Sequence, residues 1–406
     1  LKWGLRRGRH MRMLVLAMLL SAMFAPTVLA DVDWEDDGYL ATIGSLRLDK
    51  GDEFGCYGMP HLSWKADPGA VALECREYIE ERIEASFWGS KPISTYTPDN
   101  LNATQHNTIA QQGFRVHGDE TSQSSSAWHS ASDLPNNELD WHNLGRRGGS
   151  LEKGIADVSS VESELDAGGL VNMYWIGRIH DATVRHDQDV IDMLAKRDDV
   201  WFTTWGEAYS YWAMETCGSL NHSIENGLLE IKSIDSTSCR SLYNAWNIPL
   251  TWVIDIGNAQ ILDSDMKELD SDDRNTKQGW RQDGKTILLS ILAGNEVSFD
   301  LDSDNYEILG TTQFFNNKSA AFTVAGHSTT DLQRWSQRFD DYDFLKFTWL
   351  VSPRELDDGL KWLPYVGVGV LLASVSGIWL VLKKDALEHS KAEDLMPVVN
   401  GGDDDE

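Results

Sequence analysis

The stretch VNMYWIGRIHDATVRHDQDVIDMLAKRDDVWFTTWGEAYSYWAME, residues 171–215, decides the fold class. VNMYWI (171–176) and VWFTTW (200–205) are β-branched and aromatic runs of strand length. Between and after them, VRHDQDVIDMLAKR (184–197) and EAYSYWAME (207–215) place apolar residues at helical spacing. Strand, helix, strand, helix in this order builds parallel βαβ units. Towards the amino terminus the alternation continues. YLATIGSL (39–46) reads as a strand, and AVALECREYIEERIEASFW (70–88) as a helix opened by Asp67-Pro68. PISTY (92–96) and FRVHG (114–118) read as strands flanking a helix that Asp99 or Asn100 caps and Gly113 stops, and a further helix is expected near 158–166. Residues 31–216 are therefore expected to form an α/β domain, an open sheet or a barrel.

Beyond Cys217 the pattern turns β-rich. LLEIKSI (228–234), LTWVIDI (250–256), TILLSILA (286–293), VSFDL (296–300), AAFTVA (320–325) and KFTWLV (346–351) are separated by polar or Gly-containing turns. Residues 217–358 are expected to form an all-β, sandwich-like domain following the α/β domain. The acidic runs Asp263–Asp273 and Asp300–Asp304 lack the Gly and terminal Glu of a calcium loop and read as solvated surface. His327 to Asp331 reads as the start of a helix near 329–338.

The two ends carry membrane signals. A basic head, the apolar run LVLAMLLSAMFA (14–25) and Val28-Leu29-Ala30 before Asp31 have the form of a secretory signal peptide, residues 1–30. LPYVGVGVLLASVSGIWLVL (363–382) has no charge and precedes Lys383-Lys384, as in a transmembrane helix whose far side is cytoplasmic. Residues 383–406 then form a short acidic tail, and the chain is expected at the cell membrane as a single-pass type I protein, its bulk extracytoplasmic. In an exported chain the four cysteines pair, and of the three connectivities the two local bridges Cys56–Cys75 and Cys217–Cys239 are expected. With 64 acidic against 35 basic side chains and a net charge of −29, the sequence excludes a nucleic-acid partner.

Three blocks resemble the polysaccharide deacetylase family: ATIGSLRLDKGDEFGCYGMPHL (41–62), FWGSKPISTYTPDN (87–100) with QQGFRVHGDE (111–120), and residues 174–212. The resemblance rests on the order and spacing of elements. It implies a distorted (β/α) barrel and hydrolysis of N- or O-acetyl groups on a glycan or acetylated polysaccharide, through one divalent, zinc-like metal. Carried over residue by residue, Asp37 and His61 would be metal ligands, Asp36 the base and His180 the acid. Tyr57, Tyr96, Trp141 and Arg178 would face substrate. The chain departs from the family pattern where Tyr57 stands in place of the first metal-binding His, and Tyr96-Thr97-Pro98 lacks the family's Arg. Asp36-Asp37-Gly38 resembles the family's D-D-G, yet it directly follows the leader with no apolar strand or first helix between, and reads first as the acidic flank of the leader.

Two functions follow from different classes: a divergent surface deacetylase, and a non-catalytic, membrane-anchored glycan-binding or envelope structural module. The barrel reading further expects His61 and His180 to open on one cleft at the carboxyl ends of the strands, with Tyr57 and an acid nearby.

Overall fold

The computed structural model describes residues 39–98, 101–118, 135, 137–142, 144, 158–177, 188–328, 342–353 and 363–393. The chain divides into two compact units, one spanning 34–354 and the other comprising 1–33 and 355–406.

The larger unit opens with helix α1 (Tyr39–Asp49) rather than the expected strand. The deciding spacing is that of Leu40, Gly44 and Arg47, which are buried while Ser45 and Leu46 are exposed: four and three residues apart is a helix face. The first strand is instead β1 (Glu53–Cys56), inside the segment that reads locally as a turn. Helix α2 (Pro68–Glu80) is capped by the Asp67 carboxylate on the Ala70 amide. It ends before the expected residue 88 because Ala85 to Ser90 folds back as a tight turn. Strands β2 (Ser94–Tyr96) and β3 (Val116–Gly118) flank α3 (Ala103–Gln111), whose cap is Asn102 rather than either expected residue. Then come α4 (Val158–Asp166), β4 (Leu170–Gly177), α5 (Gln188–Ala195), β5 (Val200–Phe202) and α6 (Trp205–Cys217).

Eight strands follow in the β-rich segment: β6 (Gly218–Glu225), β7 (Leu228–Asp235), β8 (Leu250–Asp255), β9 (Ile261–Ser264), β10 (Gly279–Asp283), β11 (Thr286–Ile291), β12 (Glu296–Leu301) and β13 (Glu307–Thr311). A short helix α7 (Thr237–Tyr243) interrupts them. They make two four-stranded antiparallel sheets, β10-β11-β8-β13 and β6-β7-β12-β9. The inward side chains Ile254, Leu289, Leu229, Ile231, Val297 and Phe299 form an apolar core.

The last two strands, β14 (Ala320–Ser328) and β15 (Phe347–Val351), do not join these sheets. They enter a parallel sheet of order β3-β2-β1-β15-β14-β4, with β5 on the first residues of β14. β15 pairs with β1 from Glu53↔Thr348 to Cys56↔Val351, and β14 lies between β15 and β4. This differs from the expected boundary at residue 217, since the sandwich of 218–311 is an insertion between two halves of one parallel sheet. The physical reason is visible in burial. β15 is buried at all five positions, as parallel strands covered on both faces are, whereas β7 alternates exposed and buried. The parallel sheet curves as a half-barrel. Phe54, Val171, Met173, Phe322, Val324 and Trp349 pack on one side of it, while Leu170, Ala321, Ala325 and Leu350 belong to the core shared with the sandwich.

Both expected disulfides are present. Cys56–Cys75 ties the end of β1 to α2, and Cys217–Cys239 ties α6 to α7. In the second unit, α8 (Leu363–Glu393) contains an 18-residue apolar window, Gly367–Lys384, of mean hydropathy 1.5. Among the described residues it is the one helix long and apolar enough to cross a membrane.

Candidate functional site

The carboxyl ends of the parallel strands bring together part of what the sequence singles out. Tyr57 follows β1, Tyr96 ends β2, and their rings stack with centroids 4.7 Å apart and planes 21° from parallel. Tyr96 is buried, so Tyr57 is the member that presents surface. The Tyr57 amide donates to the Val351 carbonyl at the end of β15, and its own carbonyl accepts from Trp64 Nε1 at 3.1 Å. His61 lies in the turn beyond, half exposed, with Nε2 3.0 Å from the Glu74 carboxylate on α2. An acid was expected near His61, and Glu74 is the one the fold supplies. The Cys56–Cys75 bridge sets β1 beside α2, the helix that also carries Glu74. The backbone of His327 also ends at this edge, in register with Ile176 and Leu350. Sequence reading placed it in a separate β domain.

Asp36, Asp37, Arg178 and His180 lie outside the described residues, as does the expected helix of 329–338. Trp141 is corrected. It is fully buried, packed edge-on against Tyr209 at 5.3 Å and near Trp212 at 5.9 Å, so it is a core residue rather than an exposed loop aromatic. Trp88 similarly turns inward and donates to Glu207 Oε1 at 2.5 Å. The acidic runs of the sandwich pin turns: Asp302 accepts from the Gln260 amide and Asp304 from the Gly227 amide.

Two buried polar clusters beside this edge escaped sequence reasoning. The first lies where the amino end of α6 enters the half-barrel. Thr204 caps the helix in a reciprocal box with Glu207. Glu53 Oε2 accepts from Thr204 Oγ1 at 2.6 Å and from the Gly206 amide at 2.7 Å, a carboxylate at a helix amino terminus. Its other oxygen, Oε1, is buried and has no hydrogen-bond partner among the described residues. Burial raises the Glu53 pKa to about 7, against hydrogen bonds from Thr204 and Gly206 and with help from the Glu207 charge. Burial also raises Glu207 and lowers Lys346, whose ammonium is attracted by Asp52 and Glu207. Trp205 fills the half-barrel, donating Nε1 to Asn172 Oδ1 at 2.8 Å. Gly118 is required here, because a Cβ would lie 2.0 Å from the Trp205 ring. Arg47 and Asp52 form a buried pair close by, with Asp52 also accepting from Trp349 Nε1.

The second cluster is a stack of imidazoles from α3, β3 and the residue after a short 3₁₀ turn (Glu138–Trp141). His106, His117 and His142 are buried, with centroids 4.3 Å apart for 117–142 and 5.2 Å for 106–117. His117 Nε2 donates to the Phe114 carbonyl, so in the neutral ring Nδ1 is the acceptor, and His106 Nδ1 donates to it at 2.9 Å. Burial and the neighbouring imidazoles push His117 far below its ordinary range, and burial pushes His142 to about 4. These rings are nearly parallel, 7° between 117 and 142, so their in-plane lone pairs lie in separate planes and do not meet at one ion. Among the described residues no group of three His, Cys, Asp or Glu side chains is arranged to hold a metal. A spacing signal was available for one pair: His106 and His117 flank Gly113, which ends α3 and turns the chain back into β3.

Comparison with protein-family models, curated proteins and solved structures finds no match to this chain.

Proposed function

We propose that the protein is a membrane-anchored, extracytoplasmic glycan-binding module, built on a half-barrel of deacetylase-like topology and presenting the carboxyl edge of its parallel strands to the ligand. The observation that carries this reading is the Tyr57–Tyr96 stack. Where the resembled family has a metal-binding His, this chain has an aromatic ring braced by a second one. A rigid ring with a hydroxyl suits a sugar face and its hydroxyl groups better than it suits a cation. The contact of His61 Nε2 with the Glu74 carboxylate supports the same reading, since a ligand imidazole would have to leave that carboxylate. The type I orientation is supported by Lys383-Lys384 at the end of the apolar window, and by two disulfides in the chain that precedes it.

The test uses the full chain in a maltoside detergent against acetylated chito-oligosaccharide and acetylated xylan fragments. Calorimetric binding that falls about tenfold or more in Tyr57→Ala, without acetate release in added zinc, is the expected result. Catalytic release of acetate that depends on His61 and His180 would replace it with the second reading, a divergent metal-dependent deacetylase. That activity would use Asp36 and Asp37 as base and ligand.

A further inference from the structure

A cavity of about 90 Å³ opens between α6, β5 and the segment after β13. Its wall is aromatic: Trp201, Tyr211, Trp212 and Phe314. Trp201 is inclined 55° to Tyr211 and 43° to Phe314, with centroids 5.2 and 6.2 Å apart, so these rings form angled walls rather than a stack. Every polar handle on this wall is used elsewhere. Trp201 Nε1 donates to Thr276, Trp212 Nε1 to the Pro135 carbonyl, and the Tyr211 hydroxyl bonds Thr312. What these four residues can still offer a ligand is aromatic carbon.

Two polar groups complete it. Glu215 stands on the exposed side of α6, accepts from Thr311 Oγ1 with one carboxylate oxygen at 3.0 Å, and contributes to the lining. Gln313 also lines the cavity, and its Nε2 is buried with no hydrogen-bond partner among the described residues. An unmet buried donor costs stability unless something supplies an acceptor. A void left by imperfect packing calls for neither a carboxylate nor a stranded amide.

We infer that this cavity binds a small methylated ammonium group of the choline type, its cationic head among the aromatic rings and near Glu215, its oxygen accepting from Gln313. Size selects the class. Pockets for drug-sized ligands run to roughly 300–1,000 Å³, so a cavity of this volume takes a head group and not an oligosaccharide. Charge selects within the class. Ring faces attract a desolvated cation, and a neighbouring carboxylate adds to that attraction. The site is separate from the Tyr57 edge and does not depend on what binds there.

The experiment titrates the full chain, in a maltoside detergent, with choline chloride, following tryptophan fluorescence and calorimetric heat. The control is 3,3-dimethylbutan-1-ol, the uncharged isostere. Saturable choline binding is expected, with the isostere weaker by about tenfold or more. Glu215→Gln should weaken choline severalfold and leave the isostere unchanged. Trp212→Leu should weaken choline about tenfold, while Trp212→Phe, which keeps a ring, restores most of it. Glycerophosphocholine distinguishes the source of the group: tighter binding than choline assigns a phospholipid head group, weaker binding assigns the free amino alcohol. Absence of saturable binding by either compound, or equal affinity for choline and its isostere, overturns the inference. Unchanged near-ultraviolet circular dichroism in Glu215→Gln separates a lost ligand contact from a lost fold.

Discussion

The half-barrel and the sandwich of the larger unit solve the same burial problem with different chemistry. The sandwich fills its interior with Ile254, Leu289, Val297 and Phe299, and its buried hydroxyls Thr251 and Ser290 bond each other at 2.7 Å. The half-barrel takes in the amino end of a helix, and with it unpaired backbone amides that must be met. Glu53, Thr204, Asn172, Thr323 and Thr348 meet them and each other. Antiparallel strands with one dry face ask only for alternation. A parallel sheet wrapped around a helix end asks for specific polar partners, and those partners titrate.

The largest expected effect compares the two interiors directly. Trp205 and Phe299 are both fully buried, and truncation of either to Ala is expected to cost about 3–5 kcal/mol. Trp205→Ala should sit at the top of that range, because it also removes the Nε1 bond to Asn172 and the packing on Gly118. Denaturant midpoints of the two variants measure the difference; equal losses would mean the polar layer adds nothing to the half-barrel.

Next comes the pH dependence of the half-barrel. Glu53 has a folded pKa raised from 4.5 to about 7, so between these values the native state holds a proton that the unfolded chain has released. Stability is therefore unaffected by this group below about pH 4.5, falls as pH rises, and levels off above about pH 7, by on the order of 3 kcal/mol. Glu53→Gln keeps an acceptor for Thr204 and Gly206 and should flatten that slope. A slope left unchanged in denaturation curves across pH 4.5–7 would place the titration elsewhere.

The imidazole stack has the opposite sign. His142 has a folded pKa lowered from 6.5 to about 4, and His117 moves the same way. The unfolded chain then takes up protons first as pH falls. Stability is full above about pH 6.5 and is lost towards pH 4, by roughly 2–3 kcal/mol for His142. His142→Phe keeps the stacked ring, removes an Nε2 that has no partner among the described residues and should lessen the acid loss. Hydrogen exchange of the β3 amides at pH 5 and pH 7 reads this locally.

The smallest effect belongs to the sandwich. Ser290→Ala leaves Thr251 Oγ1 its bond from the Asn316 amide and should cost about 1 kcal/mol, independent of pH. A pH-dependent loss there would break the contrast between the two regions.

Much of the architecture was legible along the chain. The strands at 94–96, 116–118 and 170–177 and the helices at 158–166 and 205–217 follow from runs and spacing. The local disulfides follow from proximity, and the apolar helix from its uncharged run. Two residues that the resemblance marked, Tyr57 and Tyr96, do come together, because consecutive parallel strands place their carboxyl ends side by side. Trp141 was misread because exposure of a loop tryptophan is not a local property.

By itself, then, the sequence determined many of the strands and helices that have an apolar face, but not α1, which it reads as a strand, nor the fully buried β1, which it reads as a turn. It also determined that the chain is acidic, disulfide-bonded and equipped with one apolar span. Only the tertiary structure decided that β14 and β15 return to pair with β1 and β4 across an inserted sandwich. Only it decided that Glu53 meets Gly206 from 153 residues away, and that three histidines from three elements stack. The physical reason is the same in each case. Hydrophobic periodicity is a short-range signal, whereas strand partners and buried polar partners are chosen by loop closure and by the need to satisfy every group the fold removes from water.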